Sequence, residues 1–332
     1  MSKVIRPSSG AAHSRLYSVG GYRPARVVTN EEICEHIDST DEWIRTRSGI
    51  ATRRYALPEE TIQDLSVASG GKAIAAAGIA PEQIGAVMVA SCTVTNPIPA
   101  AGPEVASRLG AVNAAAFDVN IACAGFCHGV ALGSDMIRGG SAEYVLVIGT
   151  EKFTSIIDRT DRSIAFIFGD GSGAAVLGPS EVPGIGPVVW GADGAQASAI
   201  EMDGDWVDKA LGGERAFLRM NGQQVFRWAA YEMAPVARRA VEVAGLTFDD
   251  LDAFIPHQAN MRITDAMVRA LKLPAHVAIA RDIADMGNTS AASVPLAMET
   301  LLERGEIASG STALLVGFGA GLSFAAQVVT IP

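Results

Sequence analysis

The sequence has little cysteine, a shortage of positive charge and no long apolar run. Its four cysteines stand at 34, 92, 123 and 127 of 332 residues. That is too few for a disulfide-stapled scaffold of this length. Cys123 and Cys127 form C-x-x-x-C without a second ligand pair, and no other Cys or His spacing fits a zinc site, so no metal is expected. Lysine and arginine total 26 against 36 acidic residues, a formal net charge of −10. A field of that sign opposes non-specific nucleic-acid binding, although it leaves room for a local basic patch. Nothing approaches the ~18 continuous apolar residues of a membrane span. The leader MSKVIRPSSGAAHSRL has two early basic residues but no apolar core. Neither a signal peptide nor a membrane partner is therefore expected, and the expected location is the cytoplasm.

What is present points to a large buried interior. Hydrophobic residues make up 49% of the chain and charged residues 19%, the reverse of a disordered composition. At ~150 residues per domain, the length implies two domains or one large two-part core. Few segments read as linkers. Short apolar, β-branched runs predict strands over 86–91, 116–119, 144–149, 173–178, 253–256, 277–280, 313–317 and 325–331. Helical patterns cover 62–77, 123–138, 223–244, 262–271 and 290–304. The alternation predicts an α/β fold whose sheets are covered on both faces.

An internal repeat divides the chain. The stretch AGIAPEQIGAV from Ala77 is matched by AGLTFDDLDAF from Ala244, 167 residues later. Arg138-Gly139 precedes one strand as Arg304-Gly305 precedes another, 166 residues later. We read two copies of one βα unit, 1–184 and 185–332, rather than two similar Ala-Gly turns. In the first copy Cys123 opens the helix leading to Arg138. In the second, Asn288-Thr289-Ser290 opens the helix leading to Arg304, and His257 ends a strand at the counterpart of Ala90. Cys123, His257 and Asn288 thus converge on the seam between the copies, the kind of crevice where α/β folds bind ligands.

Each of these residues has a plain structural alternative. Cys123 at a helix N-terminus is expected to gain from the macrodipole, which would bring its pKa below the free value of ~8.5. A small buried hydrophobe is the other reading. His257 can be a satisfied core histidine, and Asn288 an ordinary helix N-cap. Gly317-Phe318-Gly319-Ala320-Gly321 superficially matches a dinucleotide fingerprint, but strand formers follow it where a helix is required. Such a turn can instead offer a backbone N–H to an oxyanion. Phe168-Gly169-Asp170-Gly171-Ser172-Gly173 reads as a tight turn before a strand.

Together the motifs are far more specific. Asp41-Glu42-Trp43-Ile44 with Arg47-Ser48-Gly49-Ile50, Ala122-Cys123-Ala124-Gly125-Phe126, Phe168-Gly169-Asp170-Gly171, Pro256-His257-Gln258-Ala259-Asn260, Gly287-Asn288-Thr289-Ser290 and Gly317-Phe318-Gly319 span nearly the whole chain. With them the sequence resembles β-ketoacyl-acyl-carrier-protein synthase III of the thiolase-like superfamily. It looks most like the actinobacterial branch, which includes enzymes that prime polyketide synthases. The resemblance implies a thiolase-like fold of two pseudo-symmetric halves in αβαβα layers. It implies a catalytic triad of Cys123, His257 and Asn288, and an oxyanion hole from the backbone N–H groups of Cys123 and Ala320, where the usual residue at 320 is Gly. Trp43, Arg47, Arg162 and Asn260 would contact CoA. Ile98, Phe153, Phe168 and Phe318 would surround the acyl chain, Ile98 tending to widen that pocket and Phe153 to narrow it. Arg227, Arg262 and Arg269 would dock an acidic carrier protein.

The implied reaction is decarboxylative condensation of an acyl-CoA primer with malonyl-acyl-carrier protein, without a cofactor beyond the CoA thioester that is its substrate. A homodimer is implied as well. Asn288 stands where elongating ketosynthases carry a second His, and no Cys follows 127 to serve as a thiolase's second. A papain-like protease shares the triad types but not the βα repeat. Acyl transfer without condensation, and a non-catalytic binding subunit, are the competing functions. The primer and the pathway, fatty acid or polyketide, stay open.

Overall fold

The computed structural model describes residues 5–332, so the first four residues of the leader fall outside it. Eight elements of the first half recur in the same order in the second. The first half runs β1 (His13–Tyr22), α1 (Ile62–Ala77), β2 (Ile84–Ala90), α2 (Ala101–Leu109), β3 (Ala115–Val119), α3 (Gly125–Gly139), β4 (Tyr144–Lys152) and β5 (Asp170–Ser180). The second runs β6 (Val189–Gly191), α4 (Gly222–Val243), β7 (Ala253–Pro256), α5 (Met261–Leu271), β8 (Ala278–Ile279), α6 (Ser293–Glu303), β9 (Thr312–Gly319) and β10 (Ser323–Thr330). The sheets have strand orders β1-β5-β4-β2-β3 and β6-β10-β9-β7-β8. In each, the last three strands are parallel and the first two pairings antiparallel. The chain passes from one sheet to the other at Gly184. Its N–H donates to Ser14 O (3.0 Å) in the first half, and its carbonyl accepts from Thr330 N (2.9 Å) in the second.

Side-chain alternation builds the layers. In β2, Ala86 and Met88 face a central core while Val87 and Val89 face an outer one. The central core also takes Phe126 and Val130 of α3, Val294 and Met298 of α6, and Ile255 and Leu315 of the second sheet. Helices α1 and α2 cover the outside of the first sheet, and α4 and α5 that of the second. The order is therefore αβαβα, with α3 and α6 in the middle.

The repeat persists in the backbone. Gly78 and Gly245 close α1 and α4 with φ of +67° and +75°, a region glycine enters without a Cβ penalty. Ala122 and Ser290 take φ of +43° and +50°, strained for residues with a Cβ. Each opens a 3₁₀ turn, Ala122–Ala124 or Ser290–Ala292, that leads into a central helix.

The structure departs from the sequence reading in places. The central helices begin after these turns, so Cys123 lies in a 3₁₀ turn rather than at the head of the α-helix. The Phe168–Gly173 run is not a turn before a strand, because β5 begins at Asp170 and passes through it. Its glycines make room for α6: a Cβ on Gly173 would stand 2.7 Å from Pro295 Cγ. Strand β1 and helix α2 were not anticipated. Outside the repeat lie a ribbon of Arg26–Thr29 with Thr52–Tyr55, a helix Asp41–Ser48, and a ribbon of Ile200–Met202 with Leu218–Met220.

At Gly149 of β4 the backbones of the two halves press close, since a Cβ there would lie 2.2 Å from Ala291 O. Gly149→Ala is expected to destabilise the protein by ~1–3 kcal/mol through overpacking, read as a lower midpoint of urea unfolding. An unchanged midpoint would contradict the close approach.

Candidate active site

Both halves contribute to a cavity of about 480 Å³ at their seam. The α3 entry turn supplies Ala122 and Cys123, and the segment after β7 supplies His257. Asn288 comes from the segment before the α6 entry turn, and Phe318, Gly319 and Ala320 from the end of β9. The residues expected to act together are thus brought together.

Cys123 is 9% exposed. Gly319 passes so close that a Cβ there would be 2.9 Å from the sulfur. The backbone N–H groups of Cys123 and Ala320 both face Sγ, so the Ala at 320 leaves the donor in place. Burial pushes the thiol up to about 12, and the nearby Glu151 carboxylate adds to the rise. The Ser290 hydroxyl and the two N–H groups oppose it. The expectation of a lowered pKa is therefore overturned: removal from water outweighs these donors.

His257 is buried, and Nδ1 lies 2.7 Å from Ser293 Oγ. The same oxygen accepts the Gln258 N–H at 3.2 Å. Burial lowers the imidazole to about 3, so the ring is neutral at physiological pH. When the Ser293 hydroxyl donates to Nδ1, the ring proton sits on Nε2 and is available as a donor. Asn288 Oδ1 accepts the Ser290 N–H at 2.8 Å, which leaves the Nδ2 hydrogens free. The backbone of Asn288 is clamped by Ile167 O (2.8 Å) and the Gly169 N–H (3.0 Å). Asn288 is not the helix N-cap considered for it, since Thr289 and Ala292 hold the cap positions of the turn and the helix; its oxygen makes a local bond to Ser290 that is compatible with donation from its nitrogen.

Phe153, Phe168 and Phe318 line the cavity. The first two stack at 4.3 Å, and the Phe318 ring meets His257 edge-on at 5.2 Å. Ile98 does not line it in this chain: the residue is 82% exposed, on the loop from β2 to α2. Thr40 Oγ1 accepts the Trp43 N–H (3.1 Å) and starts the helix that places Trp43 at the mouth. Arg162 and Arg47 lie 5.1 and 5.7 Å from the Trp43 ring centre. Asn260 caps α5 and donates from Nδ2 to Arg47 O at 3.1 Å. Arg227 and Arg262 share an outer depression with Arg47 and Asn260. Arg269 is exposed two turns further along α5 and lines neither cavity.

Ser290, Ser293 and Glu151 went unnoticed in the sequence, as did the apolar wall of Ile200, Leu218 and Met220. Isolated apolar residues in the Asp- and Gly-rich stretch 192–222 were the available signal for that wall. Among the described residues no group of three or more His, Cys, Asp or Glu is placed to hold a metal, and no helix is long and apolar enough to cross a membrane.

Comparison with known proteins agrees with this geometry. Two family models match: 3-oxoacyl-[acyl-carrier-protein] synthase III over residues 117–194 and its C-terminal part over 241–331. A β-ketoacyl-[acyl-carrier-protein] synthase III of Streptomyces glaucescens is 55% identical over 100% of both chains. The chain belongs to the β-ketoacyl-acyl-carrier-protein synthase III family. A mycobacterial synthase III of Mycobacterium marinum is 52% identical over 99% of this chain and 98% of that one. Among solved structures, the priming β-ketosynthase of the R1128 polyketide pathway superposes with a TM-score of 0.97, at 48% identity and 99% coverage of both chains. Synthase III of Aquifex aeolicus superposes at 0.88, with 33% identity over 96% of this chain and 99% of that one. The duplicated five-layer arrangement is the thiolase-like fold of this synthase III family.

The neutral ring of His257 is directly observable. Nitrogen-15 spectra are expected to show His257 with a single protonated ring nitrogen from pH 7 down to pH 4. The sign follows from burial: the unfolded chain takes up this proton near pH 6.5, the folded chain only near pH 3. The stabilising contribution of the buried neutral ring is therefore present above pH 6.5 and lost progressively on acidification towards pH 3. An imidazolium signal at pH 5 would contradict this.

Proposed function

We propose that the protein condenses an acyl-CoA primer with malonyl-acyl-carrier protein through an acyl-Cys123 intermediate, releasing CO₂ and 3-oxoacyl-carrier protein, and so starts fatty-acid or polyketide chains. The observation that carries this reading is the setting of one sulfur. Cys123 lies against two backbone N–H groups and shares a cavity with two neutral side-chain donors, His257 and Asn288.

In the first stage the sulfur attacks the thioester carbonyl. The oxyanion is held by the N–H groups of Cys123 and Ala320 until the C–S bond to CoA breaks. In the second, malonyl-carrier protein enters the same cavity. Loss of CO₂ puts negative charge on the thioester oxygen, where His257 Nε2–H and Asn288 Nδ2–H can donate. The carbanion attacks the acyl carbon and returns the sulfur. Neutral donors fixed in a dry site suit a charge that exists only briefly, because they need no reorganisation when it forms. No cofactor is required. The Arg47, Arg227 and Arg262 cluster offers the acidic carrier a cationic patch on a chain of net charge −10.

Trp43 with Arg162 and Arg47 supplies a stacking site for the adenine of CoA, which Arg162 opens by moving off the ring. The open edge of β3, flanked by exposed Phe117, Val112 and Ile98, favours a homodimer.

Incubation with acetyl-CoA is expected to add one acetyl group to Cys123, seen by peptide mass, and Cys123→Ala is expected to abolish it. His257→Ala and Asn288→Ala are expected to keep acylation while slowing turnover of malonyl-carrier protein by ~10²–10³ each. An acylated wild type that never consumes malonyl-carrier protein would point to simple acyl transfer; no adduct at all would point to a non-catalytic subunit. Trp43→Ala is expected to raise the acyl-CoA KM by ~5- to 30-fold with little change in kcat, as for a contact of ~1–2 kcal/mol.

A further inference from the structure

Glu151 near the end of β4 is buried without a cation. The adjacent Lys152 turns its Nζ to the carbonyls of Leu57, Pro58 and Glu60, at 2.7, 3.1 and 2.5 Å. The carboxylate is held by neutral donors instead. It accepts from Thr93 Oγ1 at 2.6 Å, Ser91 Oγ at 3.2 Å, the Cys92 N–H at 3.2 Å and Cys92 Sγ at 3.4 Å. Its fifth partner is Ser290 Oγ, 3.0 Å from Oε1. That hydroxyl stands on the α6 entry turn, which packs against the α3 entry turn carrying Cys123. One hydroxyl, bonded to a buried carboxylate, therefore stands beside the turn of the nucleophile.

We infer that Glu151 is a positioning residue for the nucleophile, acting through Ser290 to hold the Cys123 thiol and to take up its proton as the sulfur attacks the thioester. The inference rests on the reading of Cys123 as the acylated residue.

The proton moves in two hops. The Cys123 S–H proton passes to Ser290 Oγ while the Ser290 hydroxyl proton passes to Glu151 Oε1. The sulfur forms its bond to the acyl carbon. When the bond to CoA breaks, the proton returns along the same path to the departing sulfur, which leaves as a free thiol with Glu151 again ionised. One buried negative charge is moved and none is created. That answers the difficulty of a desolvated thiol. Ionising it against bulk water would place a second charge beside Glu151, and burial and Glu151 both resist this. Burial likewise raises the carboxyl's affinity for a proton.

The titratable groups facing this path are few. Cys92 bonds Glu151 from the loop after β2, and Cys123 faces it from the α3 entry turn. His257 lies on the other half's side of the cavity and is neutral. Asp170, opposite Lys152 on β5, is turned to Thr154 and the Ala56 N–H.

The test uses the pH dependence of Cys123 alkylation by iodoacetamide, which needs no acyl transfer, followed by peptide mass so that the four cysteines are told apart. With an internal acceptor, the wild-type rate levels off once Glu151 is ionised and stays flat to about pH 9. Glu151→Gln and Ser290→Ala are expected to be ~10²-fold slower at pH 7, and to rise about tenfold per pH unit because the proton must then go to solvent. Glu151→Asp, which keeps an acceptor, is expected to restore a plateau of lower height. Ser290→Ala guards against misfolding of the Glu151 variants, since Ala122 holds the same backbone conformation in the other half. Variant profiles parallel to wild type, or a wild-type slope of one, would overturn the inference. Acetyl-CoA is run alongside. A flat alkylation profile with no acetylation would instead fault the reading of Cys123 as the acyl carrier, so the two failures are distinct.

Discussion

Exclusion of water from the sulfur of Cys123 sets the character of its whole surroundings. Burial holds the thiol protonated and the His257 ring neutral. The buried carboxyl group beside the thiol, Glu151, is held by five neutral donor groups. In such a medium a hydrogen bond to a nascent oxyanion is worth more than in water, and an unmatched charge costs more. Both facts favour chemistry in which charge is relayed between fixed partners. The strained backbones of Ala122 and Ser290 serve the same end. They set the two entry turns against each other at the seam, and the packing of both halves holds them there.

Duplication explains how one seam acquires so many different groups. Asn120 and Asn288 precede the two entry turns at equivalent places, Ala122 matches Ser290, and Cys123 matches Ala291. Ala90 ends one parallel strand and His257 follows its counterpart. The two copies therefore supply the same backbone scaffold with different side chains. One half keeps the nucleophile and the carboxylate. The other keeps the imidazole, the carboxamide and the intervening hydroxyl. Close approach is what lets them meet. Gly149 and Gly319 lie on neighbouring parts of the two sheets, and a Cβ on either would collide with the opposing turn.

Much of this architecture was legible in the residues because buried parallel strands carry dense apolar runs and helix stops carry glycine. The helix Ile62–Ala77 begins and ends where the pattern places it, between the Thr61 cap and Gly78. Strand β1 escaped because its buried positions include Ser14, Ser18 and two glycines, which pack under α1 and β5 without an apolar signature. Cys123, His257 and Asn288 were visible through their motifs. Their helpers were not, because each reads locally as something ordinary. Ser290 and Ser293 look like helix-start serines, and Glu151 looks like a carboxylate at a strand end. Glu151 and Ser290 are 139 residues apart, so only the folded seam reveals their bond. Ile98 is the converse case, lying outside this chain's own cavity. A loop of Pro and Thr carries no periodicity to tell an inward from an outward face, and this residue faces out.

The acyl pocket shows how much a polar clasp outside a cavity can matter to an apolar lining inside it. One wall is Phe153 and Phe168; the other is Ile200, Leu218 and Met220. The walls are tied by Arg219, whose guanidinium reaches Asp203 on its own ribbon and Asp158 and Asp161 on the loop before Phe168, at 3.1, 3.5 and 2.8 Å. Leu218 N donates to Ile156 O (2.9 Å) beside them. Half-exposed pairs of this kind contribute ~0.2–1 kcal/mol each. The whole clasp is therefore comparable with the ~1–3 kcal/mol by which a pocket distinguishes one methylene. A longer primer can spread the walls for about what its extra methylene returns in burial. If this cavity takes the primer, as proposed, the stiffness of the Arg219 clasp bears on its selectivity together with the volumes of the aromatic side chains.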